Sequence, residues 1–285
     1  MAADTVALVT GATAGIGLHT GIGLARVGMR VILAGRDPAR AEAARRFVAE
    51  RSGSQAVETA LADFASLAAV RRLAGSVISH HDRLDVLVNN AGLISREFVR
   101  SRDGIEMTFA VNHLAPFLLT NLLLGRLTAS AADGRWPRIV TVASTAHRGG
   151  RIADPAALAD PTDWAPLRAY SRSKLCNILF TRALARRLEG TGVVASCLHP
   201  GIIATKIGDS AGAVSGFGWR LIKPLLATPR KGAETSVFLA TVADPRPFNG
   251  AYVAGTKVAR PDAAALDDDL GERLWAESAR LVGLD

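Results

Sequence analysis

Seven short runs of apolar, often β-branched residues alternate along this chain with longer segments of helical period, and that alternation constrains the fold more than any other feature. The runs are Thr5 to Thr10, Val31 to Ala34, Ala56 to Ala60, Leu84 to Asn89, Arg138 to Ala143, Val193 to Leu198 and Ala251 to Ala254, each about one strand long. Helices are expected between them, near 16 to 28, 38 to 51, 66 to 79, 104 to 131, 166 to 189, 231 to 242 and 263 to 282. Two strands joined through a helix lie parallel, and right-handed crossovers then cover both faces of the sheet. The strand runs are almost continuously apolar, as burial on both faces requires. The expected class is α/β with a doubly wound parallel sheet, in one domain over residues 1–285, since no repeat or linker divides the sequence. Residues 202–229 break the rhythm. They combine Gly and Ser with Ile207, Val214, Phe217, Trp219, Leu221, Ile222, Leu225 and Leu226 and show no clean strand, so they are expected to form either an apolar substrate lid or an extra helical pair on the core.

Composition excludes several classes. With 49% hydrophobic residues over 285 positions the chain can bury a sizeable core and is not disordered. The longest apolar candidates, Phe117 to Leu124 and Leu221 to Ala227, fall short of the ~18 residues of a membrane span. The N-terminus reaches the first strand without a signal-peptide pattern, so a soluble cytoplasmic protein is expected. The net charge of +8 comes from 29 Arg and 5 Lys against 26 acidic residues. These cations are scattered rather than clustered, and aromatics are only 5%, so solvated helix faces are expected rather than a nucleic-acid surface. Cys176 and Cys197 suit small buried residues, not a disulfide framework. None of His19, His80, His81, His113, His147 and His199 has the spacing of a metal pair, and structural or surface roles are expected for them; substrate contact by His147, three residues beyond Ser144, is the lesser alternative.

The first strand runs into Thr10-Gly11-Ala12-Thr13-Ala14-Gly15-Ile16-Gly17 and then a helix. Glycines there let the backbone approach a pyrophosphate, which the free N–H groups and dipole of the helix N-terminus favour. This glycine-rich turn sits between the first strand and first helix of an alternating chain, which marks a Rossmann-type dinucleotide cradle. Arg36, just past the second strand, is placed to meet the 2′-phosphate of NADP(H), favouring it over NAD(H). Asp37 either faces the ribose or caps the helix that begins at Pro38.

Tyr170 and Lys174 stand four apart at the start of a helical segment, hence on one face. A phenol is a poor base at neutral pH until a neighbouring ammonium favours its phenolate; the pair then donates and accepts a proton. Ser144 ends the fifth strand at the carboxyl edge, where doubly wound folds bind ligands, and either orients a carbonyl or serves as a turn residue.

Together with Asp63, Asn89-Asn90-Ala91-Gly92, Asn112 and His199-Pro200-Gly201, these residues resemble the short-chain dehydrogenase/reductase family over nearly the whole chain. Passages such as Val111 to Thr120, Ser173 to Phe180 and Thr228 to Ser236 are similar to its retinol dehydrogenase-like group. The resemblance implies an NADP-dependent enzyme interconverting an alcohol and a carbonyl, with a lipophilic substrate suggested by the apolar lid. It implies Tyr170 as general acid and base, Lys174 as the group lowering its pKa and holding the nicotinamide ribose, Ser144 positioning the carbonyl, and Asn112 holding a proton-relay water. Gly11, Thr13, Gly15, Ile16, Gly17, Arg36, Asp63, Asn90, Ala91, Gly92, Pro200, Gly201 and Thr205 would contact the cofactor. It further implies a homodimer or homotetramer formed through the helices bearing Asn112 and Tyr170. The alternatives are an NADP-sensing protein without turnover, against which the presence of both Tyr170 and Lys174 speaks, and the same chemistry with NAD.

Overall fold

The computed structural model describes residues 4–131, 134–201 and 228–284. In chain order its elements are β1 (Val6–Thr10), α1 (Gly15–Arg26), β2 (Arg30–Gly35), α2 (Pro38–Ser52), β3 (Val57–Leu61), α3 (Leu67–His80), β4 (Val86–Asn89), α4 (Met107–Phe109), a π turn (Ala110–Leu114), α5 (Ala115–Ser130), β5 (Arg138–Val142), α6 (Pro166–Arg187), β6 (Val194–His199), α7 (Pro229–Thr241), β7 (Tyr252–Ala254), β8 (Lys257–Val258) and α8 (Asp268–Val282). All seven expected strands are present, and the strand order is β3-β2-β1-β4-β5-β6-β7-β8. Every pairing is parallel except β7 with β8. The sheet is a doubly wound Rossmann sheet. Its order reverses between β1 and β4, whose carboxyl ends therefore open a crevice.

Alternation along the strands divides the core. Val6 and Leu8 of β1 pack with α3, α5, α6 and α8, whereas Ala7 and Val9 pack with α1, α2 and α7. The central strands β1, β4 and β5 are buried throughout, but edge strand β3 exposes Leu61 and half-exposes Glu58 and Ala60. β8 was not expected: two exposed residues turning back antiparallel leave no apolar run to read.

The expectation that no apolar stretch is long enough to span a bilayer needs correction. Met107–Ser130 passes by length and mean hydropathy, 1.4, but 78% of its most apolar window is buried inside the protein. It is a core helix, with Phe117, Leu118, Leu119 and Leu123 essentially inaccessible.

Several arginines do more than solvate helix faces. Arg138, buried in β5, donates to the carbonyls of Ala240 and Val242 (Nη2, 2.6 Å) and so caps the C-terminus of α7, where the helix dipole favours a cation. Burial pulls its guanidinium down to about 10. Arg182, Arg186 and Arg187 of α6 pair with Asp268 and Glu272 of α8 at 2.5–3.0 Å. Between the same helices Trp275 packs edge-on to Phe117 and over Phe180, with ring centroids 4.9 and 5.8 Å apart. His113 of the π turn reaches Ser278 Oγ of α8 at 2.9 Å. Much of the face expected to join copies of the chain is thus covered by its own α8.

Candidate active site

The crevice is built from the ends of β1, β4 and β5. Thr10 Oγ1 accepts the N–H groups of Asn90 (2.9 Å) and Ala91 (3.0 Å), and Asn90 Nδ2 donates to the Thr10 carbonyl (2.8 Å), so the loops after β1 and β4 are stitched together. Gly11 makes this possible: its φ is +64°, and a β-carbon there would lie 2.8 Å from Ala91 Cα. Gly17 presses on the same loop, since a β-carbon would meet Asn90 Nδ2 at 2.5 Å. Gly15 differs. Its φ is +59°, yet nothing lies within 4 Å of where a β-carbon would sit, so its backbone faces open space beside Ile16 at the start of α1. No side chain caps that helix. Free first-turn N–H groups and an open approach are what a pyrophosphate requires. Thr13 packs against Gly35 at the tip of β2, tying this loop to the strand that ends at Arg36.

The two open readings of Asp37 resolve: its Oδ1 accepts the Arg40 N–H at 2.9 Å, making it the N-cap of α2. Arg36 is exposed and forms no ion pair with another described residue. Asp63 Oδ1 accepts the Ala65 N–H (3.1 Å), and its Oδ2 lies 3.5 Å from Arg102.

Deeper in the crevice, the Ser144 side chain stands close enough to the Tyr170 hydroxyl to favour its phenolate. Ser144 serves as a cap, its Oγ accepting the Ala146 N–H at 3.2 Å, which is the turn role considered for it. Buried Lys174 donates from Nζ to the Val142 carbonyl at 2.8 Å, two residues before Ser144, and stands 5.6 Å from the centroid of the Tyr170 ring. Asn112 lies on the π turn. Pro116 has no N–H for the Asn112 carbonyl four residues back and its ring crowds that carbonyl; the helix widens there instead of running on as one uninterrupted α-helix. The Asn112 amide accepts the Leu93 N–H (2.8 Å) and donates to the Leu93 carbonyl (2.9 Å) and to Ser173 Oγ (3.0 Å). Gly92 is wedged beside it: a β-carbon there would fall 3.3 Å from Asn112 Oδ1 and 3.7 Å from Lys174 Nζ.

Burial dominates the electrostatics. It pulls the Lys174 ammonium down from its ordinary 10.5 to about 8, and it pushes the Tyr170 phenol up, against a downward pull from the Ser144 side chain. Within the protein's own groups the phenol is therefore held protonated.

A model of the family described as short chain dehydrogenase matches residues 5–215. The chain is 40% identical over 288 residues to human "Retinol dehydrogenase 13", covering 98% of this chain and 84% of that protein. It belongs to the short-chain dehydrogenase/reductase family. This short-chain dehydrogenase is also 43% identical to bovine "Dehydrogenase/reductase SDR family member 13", over 98% of its own length and 73% of the relative's. A crystal structure of an uncharacterized protein from Mycobacterium paratuberculosis superposes with a TM-score of 0.78 at 34% identity, covering 98% and 93% of the two chains. The dehydrogenase falls in the retinol dehydrogenase-like group and is an NAD(P)-dependent oxidoreductase of alcohols and carbonyls.

In this short-chain dehydrogenase Ser144, Tyr170, Lys174, Asn112 and Gly92 lie together, and Gly11 to Gly17 with Asn90 and Ala91 form the adjoining cradle. Arg36 and Asp63 stand past the ends of β2 and β3. Pro200 and Gly201 follow β6; Gly201 adopts φ +92°. Thr205, and residues 202–227 of the expected lid with Phe217, Trp219 and Leu221, lie outside the described residues.

Two contributors were not read from the sequence in these roles. Ser173 accepts from Asn112 and donates to the Tyr170 carbonyl (2.7 Å), linking the helices that carry Asn112 and Tyr170; its place inside the Tyr170 to Lys174 motif was the available signal. His147 uses both ring nitrogens structurally: Nε2 accepts the Asp262 N–H at 3.0 Å, which leaves Nδ1 to donate to the Ser144 carbonyl at 2.6 Å. It steadies the Ser144 backbone.

Proposed function

We propose that this enzyme interconverts a lipophilic alcohol and its carbonyl by hydride transfer with NADP(H), Tyr170 acting as general acid in reduction and general base in oxidation. The observation that carries the reading is the meeting of Ser144, Tyr170 and Lys174 beside the open glycine cradle. The cradle fits a dinucleotide: uncapped α1 and Gly15 suit its pyrophosphate, Arg36 its 2′-phosphate, Asp63 and Asn90 to Gly92 its adenosine side, and Lys174 the nicotinamide ribose. Pro200, Gly201 and Thr205 complete the proposed set. When bound, the nicotinamide supplies or accepts the hydride.

The protein's own groups handle the proton. The hydroxyls of Ser144 and Tyr170 offer two donors to one carbonyl oxygen, fixing it for attack. Tyr170 passes its proton to that oxygen as charge develops there. The Lys174 ammonium stabilises the phenolate left behind, and Asn112, held rigidly by Leu93 and Ser173, is placed to order a water that returns a proton by way of Lys174. A homodimer or homotetramer is the proposed assembly.

The burial of Lys174 gives a pH dependence. Its ammonium is charged below about 8 and neutral above. Reduction at saturating NADPH should hold a plateau below pH 8 and fall as pH rises through it; a rate undiminished to pH 10 would contradict this role. The function itself is tested by measuring NADPH and NADH oxidation against an aldehyde and ketone panel. Long-chain or aromatic carbonyls are expected to turn over faster than small polar ones, with NADPH preferred. Faster turnover of the polar carbonyls would overturn the lipophilic assignment, and no turnover at all would overturn the reading of an active enzyme.

A further inference from the structure

Glu106 is a carboxylate only 1% exposed, and no Lys or Arg among the described residues forms an ion pair with it. Its partners are three N–H donors. Oε1 accepts from Thr108 N (3.0 Å) and from the indole Nε1 of Trp164 (3.1 Å), and Oε2 accepts from Phe109 N (2.7 Å). Its own N–H donates to the Ala159 carbonyl at 2.9 Å. A buried carboxylate is costly unless its oxygens are satisfied, and here the satisfying donors come from two separate parts of the catalytic framework. Thr108 and Phe109 open the helix that carries Asn112. Trp164 stands two residues before α6, the helix that carries Tyr170, and Ala165 at its N-cap offers no side-chain cap of its own. Glu106, Trp164, Ala169 and Ser173 also line one small void, which puts the carboxylate beside the turn holding Tyr170.

We infer that Glu106 is a positioning residue: through Trp164 it fixes the start of α6 to the start of the Asn112 helix, and so sets where Tyr170 stands relative to Ser144 and Lys174. This rests on the reading of Tyr170 as the general acid. It adds a second tie to the one made by Asn112, Ser173 and the Tyr170 carbonyl, at the other end of the helix turn. Small displacements of a reacting group lower rate more than binding, so the consequence belongs in kcat.

The test uses the full chain with NADPH and the best carbonyl of the panel. Trp164→Phe removes one hydrogen bond, and Glu106→Gln keeps the side chain's size but turns an amide donor toward groups that donate. Each should lower kcat about tenfold or more, with KM little changed and one NADPH still bound per chain. The double variant should be no slower than the slower single variant, because both cut the same connection. Full kcat in Trp164→Phe, or losses that multiply in the double variant, would overturn the proposal. If Glu106→Gln binds no NADPH, Trp164→Phe alone decides. Tyr170→Phe separates the two claims: if it is inactive while Trp164→Phe is fully active, only the positioning role fails; if it is active, the catalytic reading fails and takes this proposal with it.

Discussion

Lys174→Met should make the protein more stable while removing most of its carbonyl reduction. The ammonium is fully buried among groups that bring one hydrogen bond, to the Val142 carbonyl, and burial depresses it from 10.5 to about 8. The unfolded chain keeps this proton up to about 10.5. Between pH 8 and 10.5 the folded state therefore binds fewer protons than the unfolded one, so stability rises with pH across that window; at pH 7 the folded chain carries the full cost of the buried charge. A shift of this size corresponds to about 3 kcal/mol, and losing the hydrogen bond to Val142 gives back about 1 kcal/mol. A methionine of similar length should then raise Tm at pH 7 by a few degrees. The gain should shrink toward pH 10.5. Turnover should drop by a factor of roughly 10² or more, since nothing then stabilises the phenolate. Lower stability at pH 7, or a stability difference independent of pH, would show that the ammonium is not held at a cost. A costly group kept at this place is the pattern expected where stability yields to catalysis.

Arg36→Ala should separate the two nicotinamide cofactors. Asp37 is committed to capping α2, which removes the acidic side chain that would otherwise face the ribose and repel a 2′-phosphate. Arg36 is exposed past β2 with no ion pair to another described residue. A charge-assisted hydrogen bond contributes about 1.5–3 kcal/mol, so kcat/KM for NADPH should fall roughly ten- to hundredfold while that for NADH changes little. Equal losses with both cofactors would assign Arg36 to structure and overturn the NADP(H) preference.

What the sequence conveyed and what it hid divide along physical lines. The strands of the sheet's centre are continuous apolar runs because both faces are covered, and Val6 to Thr10 or Arg138 to Val142 is legible from a few residues. Gly11 and Gly17 were legible because close backbone approach leaves no other residue type, and Gly15 because its left-handed φ favours glycine. Tyr170 and Lys174 were legible because helical spacing alone places them together. The π turn at Asn112 was not read, although Pro116 falls in the middle of the helix expected over 104 to 131, because the apolar run continues on both sides of it. Glu106 was missed because its partners are backbone N–H groups and a tryptophan 58 residues away, which leave no periodic trace. The capping role of Arg138 was not read because nothing local shows that the end of α7 lies beside β5. Coverage of α5 and α6 by α8 is likewise a matter of where a C-terminal helix docks, which no local pattern records.

The central claim is that Tyr170 moves the proton, and single-turnover reduction by Tyr170→Phe tests it most directly. Phenylalanine keeps the ring under Lys174 and removes only the hydroxyl that meets Ser144. With NADPH prebound at unchanged affinity and the best carbonyl of the panel added, cofactor oxidation should slow by a factor of roughly 10³ or more. Oxidation at or near the unsubstituted protein's rate, with the same cofactor affinity, would contradict Tyr170 as the general acid.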